Sequence, residues 1–103
     1  MAVSISSAVS GTPVDVSTRA DSSGTPGNAT LNTPRGRAAF AAVANTCVIT
    51  NSLVTATSTV LVQLGSIDAT LISVRATAAA GSFTITGNAA ATGTTLFDFL
   101  VLN

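Results

Sequence analysis

Lysine, glutamate, histidine, tryptophan and tyrosine do not occur in this 103-residue chain, and its formal charges are carried by four arginines and four aspartates. Without histidine, lysine or glutamate, the usual nucleophile–base triads and dyads cannot be assembled within one chain. With one cysteine and no histidine, thiolate and imidazole metal sites are closed as well. A neutral chain without lysine also lacks the basic stripe that a phosphate backbone requires, which argues against nucleic acid as a partner. Cys47 cannot found an intrachain disulfide framework; it fits folding in a reducing cytoplasm and reads as a small buried hydrophobe. The start, Met1-Ala2-Val3-Ser4-Ile5-Ser6-Ser7, has neither the basic flank nor the apolar run of a signal peptide or membrane span, so no membrane partner is expected. No Gly-Lys-Ser/Thr occurs and no Gly-x-Gly-x-x-Gly follows a strand pattern, so the glycines mark turns rather than a phosphate loop. The chain is therefore expected not to be an enzyme and to use no cofactor and no metal.

Asp68 and Asp98 are the residues left for acid–base chemistry toward a sugar. The competing reading makes Asp68 a turn residue. Asp98, between Phe97 and Phe99, would then need an ion-pair partner such as Arg75 or Arg37 if buried.

What is present is a hydrophobic content of 47% beside a charged content of 8%, against roughly 25% charged in an ordinary domain. Threonine, serine and alanine must cover the surface. These short side chains lose little rotamer entropy when another protein covers them, so the composition reads as that of an interface.

The first 37 residues hold all three prolines and repeat Ser-Gly-Thr-Pro at residues 10–13 and 23–26, each copy a turn. Between the turns lie short alternating pieces, Val3 with Ile5 and Val14 with Val16, suited to adding strands to another protein's sheet edge. Residues 21–36 carry one large apolar residue, Leu31, and no helix or strand period, and are expected to be a linker or extended arm. Arg35 and Arg37 close this arm; they read either as bidentate contacts to a partner's carboxylates or as solvated linker charges.

From Arg37 onward, short strands separated by Gly, Asn, Asp and Ser predict an all-β, small antiparallel β-sandwich or jelly-roll-like body. The division expected is an arm over residues 1–36 and a body over residues 37–103. Ser82-Phe83-Thr84-Ile85-Thr86, bounded by Gly81 and Gly87, places Phe83 and Ile85 on one face. Residues 70–76 are expected as a strand with Ile72 and Val74 inward, after a turn at residues 66–69. Residues 36–43, including Phe40, and residues 46–50 supply two more strands. Residues 59–64, with Val60, Val62 and Leu64, and residues 96–102, with Phe97 and Phe99, are apolar on both faces, which implies two-sided burial. A body of this size buries only about 60% of its unfolded surface, so subunit contacts best account for the second apolar face.

Three segments carry a resemblance: Thr50-Asn51-Ser52-Leu53-Val54-Thr55-Ala56, then Val60-Leu61-Val62-Gln63-Leu64, then Ala80-Gly81-Ser82-Phe83-Thr84-Ile85-Thr86-Gly87-Asn88-Ala89. They lie within residues 50–89 and resemble small β-structured virion proteins of tailed bacteriophages. The resemblance implies a compact β body on a virion surface, made in the host cytoplasm, as a head decoration (cement) protein or as a fibre module. The unmatched arm favours decoration. The expectation is a homo-oligomer, a trimer, that binds the major capsid protein or another virion protein and stabilises the shell. The alternative is a tail-fibre, spike or head-fibre module at the host surface. The arm contacts would fall on Val3, Ile5, Val14, Val16, Arg35 and Arg37. Core and oligomer packing would fall on Phe40, Val60, Val62, Leu64, Ile72, Val74, Phe83, Ile85, Phe97 and Phe99.

Overall fold

The computed structural model describes residues 19–103 and, before them, only the backbone pairing of β1 (Ser4–Ile5) with β2 (Val14–Asp15). Val3 and Val16 lie outside the described residues. For Ile5 and Val14 the description ends at their mutual antiparallel register.

Residues 19–103 form two four-stranded sheets and no helix. The first sheet runs β3 (Ala20–Asp21), β5 (Arg35–Phe40), β10 (Thr95–Leu102), β7 (Thr59–Leu64). The second runs β4 (Ala29–Thr30), β6 (Thr46–Thr50), β9 (Ser82–Gly87), β8 (Val74–Ala79). The fold is all-β, as expected, with the sheets packed face to face around one core. The sheets are mixed rather than purely antiparallel, because β3 pairs β5 in parallel and β4 pairs β6 in parallel. The cause is the path of residues 20–36. The chain contributes β3 to the first sheet, crosses to the second as β4, and returns to the first as β5, so each short strand runs beside a longer one in the same direction. The Leu31 amide bonds to the Thr50 carbonyl, the Gly27 amide to that of Ala39, and Leu31 is buried. Residues 20–36 are thus fastened along both sheets rather than standing off as a linker.

Period-two burial explains which face each strand turns inward. In β9, Phe83 and Ile85 are buried; in β6, Cys47 and Ile49; in β10, Thr95, Phe97, Phe99 and Val101. All four phenylalanines are buried. Phe40 and Phe97 meet within the first sheet at a centroid distance of 5.3 Å. Phe83 and Phe99 meet edge-to-face across the two sheets at 4.8 Å. Each such ring contributes about 1.5–3 kcal/mol by burial and the pairs add directional packing.

Two expected strands end differently from the sequence reading. The strand expected over residues 36–43 stops at Phe40, where a tight turn follows: the Ala44 amide reaches the Ala41 carbonyl and Val43 takes φ 62°. A β-branched residue in the left-handed region is an outlier, held here by the bond from the Val43 amide to the Ala91 carbonyl. The strand expected over residues 70–76 begins only at Val74. Amides of Thr70 and Leu71 donate to the Asp68 carboxylate, and those of Ile72 and Ser73 donate to Asn88 Oδ1. Their donors are therefore used by side chains, and no strand neighbour can take them. As a result Leu71 is buried, while Ile72, expected to pack inward, is 70% exposed.

Candidate functional site

The outer face of the first sheet gathers most of the chain's charge. In register across it run Asp21, Arg37, Asp98 and Gln63, and beside that row run Arg35, Leu100 and Leu61. Arg37 grips Asp98 in a two-pronged pair, Nε to Oδ1 at 3.0 Å and Nη2 to Oδ2 at 2.9 Å. Arg19 lies 3.6 Å from both Asp98 and Asp21. Five of the chain's eight charged residues therefore sit on this one face. The planar fork of Arg37 matches the carboxylate geometry, so that guanidinium is occupied within the chain.

Next to the charges lies an apolar strip. Leu61 is 50% exposed, Leu102 is exposed at the strand's end, and Leu100 is half-buried between Leu61 and Arg35. Arg35, Leu61, Gln63, Asp98, Phe99 and Leu100 line a shallow groove along β10 and β7. The doubly apolar pattern of β7 and β10 was the sequence signal for this strip. Within one chain, however, β7 is buried on one side only: Val60, Val62 and Leu64 pack against the core, while Thr59, Leu61 and Gln63 face outward.

The remaining expected packing residues take these places: Phe40, Phe83, Ile85, Phe97 and Phe99 are core, and Val74 is partly buried against it. Ile72 instead joins Ile67 and Val43 among exposed aliphatics.

Asp68, unlike Asp98, is bonded to loop amides and hydroxyls and not to an arginine. Its Oδ2 accepts from the Thr70 amide, the Thr70 hydroxyl and the Leu71 amide, and its Oδ1 accepts from the amide and hydroxyl of Thr92 and the hydroxyl of Thr95. The Leu71 amide, the Thr92 hydroxyl and the Thr70 amide hold this carboxyl well below the usual carboxylate range. Such a group stays ionised and saturated with donors, which suits a loop clamp and not a proton shuttle. Asn51 is a second hub. It is fully buried, its Nδ2 donates to the Thr33 carbonyl, and its Oδ1 accepts from the Leu53 amide. Burial pushes the Cys47 thiol up to about 11, and its Sγ faces the Gly27 carbonyl. Among the described residues no three His, Cys, Asp or Glu side chains cluster as metal ligands, and no helix is long and apolar enough to cross a membrane.

No family model, no curated protein and no solved structure matches the chain.

Proposed function

We propose that this chain is a structural protein of a tailed-bacteriophage virion, a head decoration module that associates with itself and with the major capsid protein and so stabilises the shell. The observation that carries the reading is the leucine strip on the outer face of β10 and β7. Leu61, Leu100 and Leu102 extend the hydrophobic content of the sheet onto its solvent side, and contiguous exposed apolar surface marks interaction sites. Covering that strip contributes about 25 cal/mol per Å² before association costs. Repetition over a symmetric shell multiplies the effect. The two aspartates support the same reading, since one is clamped by loop amides and hydroxyls and the other is paired to Arg37.

The test is co-sedimentation of the purified chain with undecorated capsids of the phage that encodes it. Saturable binding and a higher shell-disruption temperature are expected; shells that sediment without it reject the reading. Removing residues 2–18, which stops short of β3, is expected to leave the body's thermal midpoint in place and to abolish shell binding. Full binding by the shortened chain would remove the arm from the mechanism.

A further inference from the structure

We infer that β7 is a self-association edge: two copies of the chain pair their β7 strands antiparallel about a two-fold axis at Leu61, joining two four-stranded sheets into one of eight. The inference deepens the self-associating part of the proposed function and makes the elementary contact two-fold rather than three-fold.

Among the described residues, each sheet has one short edge of two residues, β3 or β4, and one long edge of six, β7 or β8. An open edge presents unpaired amides and carbonyls to any strand that fits, and proteins blunt such edges with charge, proline, bulges or shortness. β8 carries Arg75 on its outward side. β7, Thr59-Val60-Leu61-Val62-Gln63-Leu64, carries no charge and no proline, and its ladder to β10 runs without a bulge from Thr59 to Leu64. Of the two long described edges it is the one with neither charge nor proline, and β8 of the same chain runs close beside it.

The occupant follows from the residues of β7 itself. Directly opposed residues of an antiparallel pair share a face, so only registers that set outward residues against outward residues keep both sheets' cores buried. With Leu61 opposite its own copy, Thr59 meets Gln63 and Val60 meets Val62. From Thr59 to Gln63 every polar residue then faces a polar one and every apolar residue an apolar one, no charge opposes its like, and Leu64 falls beyond the paired stretch, opposite Ser58. Shifting the axis to Val62 sets Leu61 against Gln63 and loses that match. The Leu61 register also continues the row across the sheet, Arg35-Leu100-Leu61 meeting Leu61-Leu100-Arg35 of the second copy. Four leucines become contiguous, with an arginine at each end and the half-exposed Leu61 covered at the centre. A seam this short falls below a standard interface of about 1,600 Å², so the dimer is concentration-dependent in isolation and reinforced when copies are arrayed on a shell.

Two variants test it in the full chain. Leu61→Lys places like charges on the axis and is expected to keep the β-sheet circular dichroism and the thermal midpoint while sedimentation shifts from dimer to monomer. Leu61→Cys, in a Cys47→Ser background treated with diamide as oxidant, is expected to form a disulfide-linked dimer. Gln63→Cys in the same background is not, because its copy lies about 13 Å away along the strands. A wild-type chain that stays monomeric up to millimolar concentration, an oligomer that Leu61→Lys leaves intact, or equal cross-linking at positions 61 and 63 overturns the inference. A chain that dimerises through Leu61 yet binds no shell supports the edge and rejects only the decoration role.

Discussion

Gly36 sits on the inner side of β5, directly beneath the ring of Phe99. A methyl group there would lie 2.6 Å from ring carbons of a residue that is itself held edge-on by Phe83. The ring has no room to withdraw, so Gly36→Ala is expected to destabilise the fold by about 1–3 kcal/mol, read as a lower denaturation midpoint at unchanged slope. Asp68 gives the pH dependence. Its hydrogen bonds lower its folded-state pKa from the ordinary 3.8. The unfolded chain therefore binds more protons as acid is added, and the stabilisation, fully present above pH 3.8, is lost as pH falls toward the folded value. Asp68→Asn, which sets an amide NH2 against amide donors, is expected to lower stability at neutral pH. It should also flatten the decline below pH 4, measured by denaturant titration across about pH 2–7.

At the level of the element, the loop before β8 is where phase is decided. Leu71 is buried and Ile72 exposed, so Leu71→Ala should cost about 2–5 kcal/mol, whereas Ile72→Ser should stay within about 0.5 kcal/mol. The reverse order would restore the inward Ile72 that alternation alone predicts. That alternation was readable wherever strand amides bond to other strands: Phe83 and Ile85 in β9, and Phe97 and Phe99 in β10, face inward as their period requires. It failed at residues 70–73, because Asp68 and Asn88 take those amides from positions close by and across the loops. Thr92, which completes the Asp68 clamp, lies 24 residues away, and no periodicity announces such a bond. β3 and β4 were equally hidden, since two-residue strands have no pattern of their own and exist only through β5 and β6. Of the candidate surface, the excess leucine of β7 and β10 was visible in the sequence, and so was Arg37 among the possible partners of Asp98. Which side of β7 stays open was not visible, because it depends on β7 taking the edge of its sheet.

Taken as a whole, the molecule keeps few ions and pairs several of them internally. Asp98 is held by Arg37 at 2.9 Å with Arg19 close by at 3.6 Å, and net charge is zero. A contact made by β7 backbone and leucines therefore has little Coulombic character to screen. Raising sodium chloride from about 0.05 M to about 1 M shortens the Debye length to about 3 Å yet should leave the dissociation constant of the proposed β7-paired dimer within about threefold. Sodium sulfate, which strengthens effective apolar burial by exclusion from the protein surface, should tighten it. Sedimentation equilibrium across both salt series reads the two effects. Dissociation by sodium chloride would mean that arginine–aspartate pairs between copies hold the assembly, which would move the contact from the β7 edge to the charged rows of β5 and β10.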